Sequence, residues 1–255
     1  MVASDRKVVL SLGAHPDDAE FLCAGTLALL RQQGWEVHIA SLAAGDKGSA
    51  VLSRAEISRI RRGEGQAAAD LLGGQFHCLD CEDIYILYDR ETINRATALM
   101  RRVKPTLVIT TSPSDYMVDH EIASRVTQTA CFAGGIKNME VDEDPYEPVP
   151  WLYYMDPVES KDRFGKTVTP GIWVDITSVM ETKVDMLCCH ASQRDWLMAH
   201  HGIDEYVDMM KAGGRLRGQE IQRTFAEGFR QHLGHSFPQE DLLKSVLGEW
   251  VVTKD

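Results

Sequence analysis

Long hydrophobic runs are missing from this sequence: no stretch approaches the ~18 apolar residues that a membrane-crossing helix needs. Its N-terminus, Met1-Val2-Ala3-Ser4-Asp5-Arg6-Lys7, has neither the charged n-region nor the long apolar core of a signal peptide, so a cytoplasmic location is expected. Positive charge is also scarce. With 27 Lys and Arg against 38 Asp and Glu, a formal net charge of -11, the chain lacks the basic surface that phosphate backbones or anionic membranes require. Nucleic acid and membrane are thereby excluded as partners, and a small molecule is favoured. The six cysteines are scattered, and the adjacent pair Cys188-Cys189 is poorly placed to bridge itself, as suits a reducing compartment. Cys78-Leu79-Asp80-Cys81 has no second half nearby to complete a structural zinc site. A glycine-rich phosphate cradle is absent from the first strand-to-helix turn, which disfavours a nucleotide-dependent oxidoreductase.

What is present is ordinary globular material: 255 residues, 44% hydrophobic and 25% charged, enough for one large domain. Strand-like runs alternate with helix-like periodic segments over Lys7–Leu12, Ala24–Gln33, Glu36–Leu42, Arg54–Leu72 and Leu107–Thr110. This alternation predicts a single α/β domain over residues 1–255, Rossmann-like and doubly wound, its mostly parallel sheet flanked by helices. The acidic, proline-rich segment 141–150 reads as a surface loop and a candidate lid. Further strands are expected at Trp151–Met155 and Ile172–Ile176, with helices over Ser178 to about Ala191 and over Asp204–Lys211. The aromatic set Trp151, Tyr153, Tyr154 and Trp173 is expected to pack the sheet. The stretch from Glu220 through Phe229 and on to Leu242–Leu247 reads as helix-rich.

Directly after Val8–Leu12 comes Gly13-Ala14-His15-Pro16-Asp17-Asp18-Ala19-Glu20, one imidazole and three carboxylates within six residues. The carboxyl end of a strand in an open α/β sheet opens onto the ligand crevice. Pro16 keeps the turn extended, so His15 and Asp18 can converge on one ion while Asp17 points elsewhere. A catalytic zinc usually has three protein ligands and an open position. The best third candidate is His120, in the Ser112–His120 segment after the Leu107–Thr110 strand. Asp17, beside the metal without ligating it, suits a general base that takes a proton from water and returns it to a leaving amine. The plainer use of Asp17 and Asp18, capping a helix that begins near Glu20 or Phe21, leaves His15 and the proline turn unexplained.

Ala14 to Glu20 reads AHPDDAE and resembles, without a gap, the AHPDD-x-E signature of the PIG-L (LmbE-like) family of zinc-dependent N-acetylglucosaminyl deacetylases. Ala43–Gly48, Arg61-x-x-Glu64 with Ala67-Ala68 and Leu72-Gly73, and Lys183 through His190-Ala191-Ser192-Gln193 are similar to further family segments, spanning roughly residues 7 to 193. The resemblance implies His15, Asp18 and His120 as zinc ligands and Asp17 as the base. It also implies an N-acetylated sugar conjugate or related small amide as substrate, and a homo-oligomer. The same ligand set also suits Fe²⁺ or Co²⁺. For Arg61 it implies a contact to a sugar hydroxyl or an acidic aglycone; the alternative is a surface arginine paired with Glu64 one helical turn away.

The chain departs from the family pattern at Met117-Val118-Asp119-His120, where the family commonly reads His-Pro-Asp-His. A thioether has no proton to donate to a developing oxyanion. Three expectations follow. Another histidine reaches in, His190 first and His200, His201 or His235 after it; the metal alone polarises the carbonyl; or the protein binds metal and ligand without hydrolysis. Met117 itself then lines the substrate site. Asp119, next to the ligand, is expected either to orient neighbouring groups by a hydrogen bond or to cap the helix beginning near Glu121. The adjacent pair His200-His201 points about 100° apart on a helix and reads as solvent-facing or interfacial.

Overall fold

In the computed structural model, which describes residues 6–194 and 206–254, one eight-stranded sheet is covered by helices on both faces. The order along the chain is β1 (Val8–Gly13), α1 (Asp18–Leu22), α2 (Ala24–Gln32), β2 (Glu36–Ala43), α3 (Arg54–Asp70), β3 (Gln75–Cys81), α4 (Arg90–Val103), β4 (Leu107–Thr110) and α5 (Val118–Ala133). It continues with β5 (Trp151–Met155), β6 (Ile172–Asp175), α6 (Met180–Cys188), α7 (Tyr206–Glu220), β7 (Ala226–Gln231), α8 (Leu242–Leu247) and β8 (Val251–Thr253). The sheet runs β3-β2-β1-β4-β5-β7-β6-β8, with β3 through β5 parallel and β7 antiparallel to both neighbours.

Every residue of β1 is buried, and its alternate side chains serve two cores. Val9 packs with Leu27, Leu30, Val37 and Ile109 on one face, whereas Val8, Leu10 and Leu12 pack with Met100, Val108 and Val126 on the other. That is why a central parallel strand reads as a continuous apolar run. The strand order reverses at β1 and β4, and the crevice at this switch point receives the loops that follow both strands.

Two expectations are overturned here. The Glu220–Phe229 stretch is not all helical: Ala226–Gln231 is a strand wedged antiparallel between β5 and β6. Its Glu227 and Gly228 disguised it. The Glu227 side chain is 2% exposed, bonded to Lys183 Nζ at 2.5 Å and to the N–H groups of Gly25 and Thr26. A Cβ on Gly228 would lie 2.4 Å from an Asp156 oxygen, so only glycine lets the strand approach there. The segment 141–150 is a loop as expected, but not a lid. It leaves α5 for the amino end of β5, where Arg101 donates to Glu143 O at 2.9 Å and Tyr146 N–H to Gly134 O at 2.9 Å, at the opposite end of the sheet from the crevice.

Candidate active site

The metal cluster begins with a turn that only glycine permits. At Gly13 a Cβ would sit 2.7 Å from the Asp18 Cβ, so the missing side chain lets Asp18 fold back under the strand end. Asp18 Oδ2 accepts the N–H groups of Ala14 (2.7 Å) and His15 (3.1 Å). Oδ1 is thereby aimed outward, 3.3 Å from His120 Nε2 and 4.0 Å from His15 Nδ1. His120 stands in the first turn of α5, and Thr111 Oγ1 ties its carbonyl down at 2.6 Å. Behind each imidazole lies a carboxylate. Asp115 is 3.1 Å from His120 Nδ1, while Asp83 and Asp119 are 3.0 and 3.2 Å from His15 Nε2. Acceptors on the far nitrogens leave His15 Nδ1 and His120 Nε2 facing Asp18 as lone-pair donors, the usual arrangement behind metal-bound imidazoles.

His15, Asp18 and His120 each offer an atom within 4.8 Å of the others. Two imidazoles and one carboxylate are a donor set that fits a divalent ion. The charges agree. Burial alone would lower the His15 pKa, but Asp119, Asp83 and Asp18 outweigh it and raise it to about 9. For His120, burial is likewise overcome by Asp18 and Asp115, which push its pKa well above the ordinary value. The carboxylates thus create a demand for positive charge at this point, which a divalent cation meets. His15, Asp83 and Asp119 also gather within 4.8 Å, through the far nitrogen of His15.

Asp17 does not join this cluster. It occupies the cap position of α1 without capping it, and its carboxylate is held from two sides. Arg61 Nη2 donates to Oδ1 at 3.0 Å, and the Tyr206 hydroxyl donates to Oδ2 at 2.5 Å. Burial on its own would raise the Asp17 pKa; Arg61, His190 and the Tyr206 hydroxyl prevail and hold it below the usual carboxylate range. Arg61 is only 4% exposed, and it does not pair with Glu64, whose carboxylate instead accepts Ser192 N–H and Oγ–H at 2.8 and 2.6 Å. The guanidinium fits because residue 45 is glycine, at φ 66°, where a Cβ would come within 1.9 Å of Nη1.

The site residues named from the sequence fall into distinct places. Met117 and Arg61 line the cavity of about 370 Å³ above the cluster, together with His15, Asp17, Asp18 and His120. Asp119 does not cap α5; it accepts Ile84 N–H at 2.8 Å and faces His15. His190 is fully buried outside the cavity wall, with Nε2 3.5 Å from Glu20 Oε2. His235 is exposed away from the cavity. His200, His201 and the start of the Asp204–Lys211 helix lie outside the described residues. Sequence reasoning missed Asp83 and Tyr206, which reach the site from the loop after β3 and from α7. The one local hint was the acidic pair Glu82-Asp83 directly after a strand.

A family model described as "PIG-L: GlcNAc-PI de-N-acetylase" matches residues 10–131, the stretch that carries all three candidate ligands. Residues 10–131 thus belong to the PIG-L family. Among relatives of this chain, the 4-oxalmesaconate hydratase of Pseudomonas putida is 28% identical over 196 residues, 74% of each chain. The diacetylchitobiose deacetylase of Thermococcus kodakarensis is 28% identical over 197 residues, 74% of this chain and 71% of its own. The solved structure of N,N'-diacetylchitobiose deacetylase from Pyrococcus horikoshii superposes with a TM-score of 0.75 at 26% identity, covering 93% of this chain and 89% of that one. No helix among the described residues is long and apolar enough to cross a membrane.

Proposed function

We propose that this protein is a metal-dependent amide hydrolase that removes the N-acetyl group from an N-acetylglucosamine-type conjugate or a related small amide. The observation that carries this reading is the separation of Asp17 from its neighbour Asp18: one carboxylate faces the two imidazoles, the other is set by Arg61 and Tyr206 and aimed into the same cavity. His15, Asp18 and His120 would hold the ion, Zn²⁺ or another divalent metal such as Fe²⁺. A divalent ion in such a site polarises a carbonyl and acidifies water. Asp17 takes the proton from the attacking water and delivers it to the departing nitrogen. Its low pKa keeps it ionised and ready to accept at neutral pH. Arg61 and Tyr206 each hold one of its oxygens in place, and each oxygen keeps a second lone pair with which to accept a proton.

Zinc-loaded protein incubated with N-acetylglucosamine conjugates should release acetate, and the Asp17→Asn protein should keep its zinc and lose turnover. Retained turnover in that variant would remove the assigned base. Zinc and ligand bound with no acetate over hours would leave a binding protein.

A second reading rests on Met117 together with the P. putida hydratase. Water addition to an activated carbon–carbon double bond would use the same base to activate water and the same ion to hold the enolate oxygen, with no leaving nitrogen to protonate. Loss of absorbance from a conjugated unsaturated dicarboxylate, without acetate release from amides, would favour it.

A further inference from the structure

The cavity over the cluster is lined by two kinds of residue. The ionisable ones are already engaged: Asp83 with His15 at 3.0 Å, Arg61 with Asp17 at 3.0 Å and Lys47 with Glu82 at 2.7 Å. The rest of the lining is largely apolar, with Phe21, Leu22, Ile84, Met117, Val158 and Met209 beside the Tyr116 ring. Among the described wall residues, the Gln193 amide and the Tyr116 hydroxyl are the uncommitted groups left for a ligand, and Gln193 Oε1 is buried without a partner. A buried pyranose needs a partner for each of several hydroxyls, and hydroxyls left without one weaken binding.

Three of the apolar residues are exposed although they are large: Ile84 at 61%, Tyr116 at 60% and Met209 at 39%. Exposed apolar groups on the rim of a cavity mark contact with something apolar. Ile84 is also strained. Its φ is 70°, a left-handed conformation that β-branched residues avoid, and it is fixed there by the hydrogen bond from its N–H to Asp119 Oδ2. Strain of this kind persists where the site needs the side chain in that position.

We infer that the amine portion of the substrate is an apolar, aromatic-bearing group seated against Ile84 and Tyr116, in place of a sugar ring. This rests on the hydrolase reading for the bond that is cut, but the cavity's preference is measurable without it. Met117 belongs to the same surface: where the family carries an imidazole, this chain carries a thioether that packs against rings. The single amide of Gln193 suits one polar group on the ligand, such as the amide itself.

The test uses two probes, N-benzylacetamide and N-acetylglucosamine, with the full-length zinc-loaded protein. Calorimetry on the Asp17→Asn variant reads binding, and acetate release by the unmodified protein reads turnover. N-benzylacetamide should bind at least tenfold more tightly than N-acetylglucosamine. Ile84→Asn, a residue that tolerates positive φ and keeps the N–H to Asp119, and Tyr116→Ser should each weaken N-benzylacetamide severalfold more than they weaken N-acetylglucosamine. Equal or tighter binding of the sugar, no binding of either probe, or indifference to both substitutions would overturn the inference. Preferential binding of N-benzylacetamide without acetate from either probe would sink the hydrolase reading and sustain the cavity's preference. Acetate released mainly from the sugar would do the reverse.

Discussion

Arg61 Nη2 meets Asp17 Oδ1 at 3.0 Å across 44 residues of chain, joining the middle of α3 to the turn after β1. The guanidinium is almost fully buried and the carboxylate nearly so, with side-chain exposures of 4% and 15%. Removing one partner of such a pair leaves the other charge stranded, which typically costs roughly 3–5 kcal/mol. Arg61→Met should therefore lower the unfolding free energy, read from urea titration, by an amount near the lower end of that range, because Asp17 keeps some solvent. Turnover should fall further than stability explains, since Asp17 is then positioned by Tyr206 alone. Arg61→Lys restores the charge but not the planar fork, so it should recover stability more than turnover.

Tyr206 supplies the second hold on Asp17, its hydroxyl 2.5 Å from Oδ2 and its ring 5.7 Å from that of Phe21. Tyr206→Phe keeps the ring packing and removes only the hydroxyl. The expected outcome is a drop in kcat with little change in KM and full zinc occupancy by metal analysis. A large rise in KM with kcat unchanged would show that the hydroxyl serves substrate binding and not the base.

The meeting of His15, Asp18 and His120 was legible because two of the three sit in one short motif and the third follows a strand whose neighbour in the sheet the alternating pattern implies. Parallel order up to β5 was legible for the same reason. The groups that surround these residues were not. Asp83 and Tyr206 arrive from other elements; only the acidic pair Glu82-Asp83 after a strand marks the first, and nothing near Tyr206 in sequence marks the second. The strand β7 was hidden because the fold asks two of its positions for something other than β-propensity. Glu227 completes buried ion and hydrogen bonds to α6 and α2, and Gly228 makes room for Asp156. His190 was assigned from local resemblance, and only the packing of α6 reveals that it faces Glu20 inside the protein.

Glu227 links three elements: β7 that carries it, α6 through Lys183 Nζ at 2.5 Å, and the first turn of α2 through Gly25 N, Thr26 N and Thr26 Oγ1 at 2.9, 2.7 and 2.6 Å. A carboxylate at a helix N-terminus also meets the positive end of the helix dipole. Lys183→Met should cost about 3–5 kcal/mol by leaving that carboxylate without its cation. Denaturant unfolding of the metal-free protein checks this without reference to activity. A change below about 1 kcal/mol would mean that the N–H groups of α2 alone neutralise Glu227.

Acid should destabilise the protein through a second histidine pair, far from the metal cluster. His38 Nδ1 and His77 Nε2 are 2.9 Å apart with their rings stacked, and His38 Nε2 is 2.9 Å from Glu36. Burial, then His38 and Arg102, lower the His77 pKa from 6.5 to about 4. The unfolded chain therefore takes up this proton first as pH falls, so the stability held above pH 6.5 is lost progressively between about 6.5 and 4. His77→Gln should flatten the melting temperature over that window while leaving it little changed at pH 7.5. An unaltered slope would place the acid sensitivity elsewhere.

Met117→His tests the departure from the family pattern directly. Met117 lines the cavity that also contains Asp17 and His120, and it immediately precedes α5, so an imidazole there has access to the same space. A missing oxyanion donor typically costs about 10²–10³ in rate. If the natural reaction passes through a tetrahedral oxyanion, the substitution should raise acetate release from N-acetylglucosamine by a sizeable part of that factor. Its effect on N-benzylacetamide should be smaller, because the imidazole replaces apolar surface that this probe uses. A variant that folds, holds zinc and shows no gain with either amide would mean that the chain's chemistry does not require a donor at position 117, as water addition to a double bond would not.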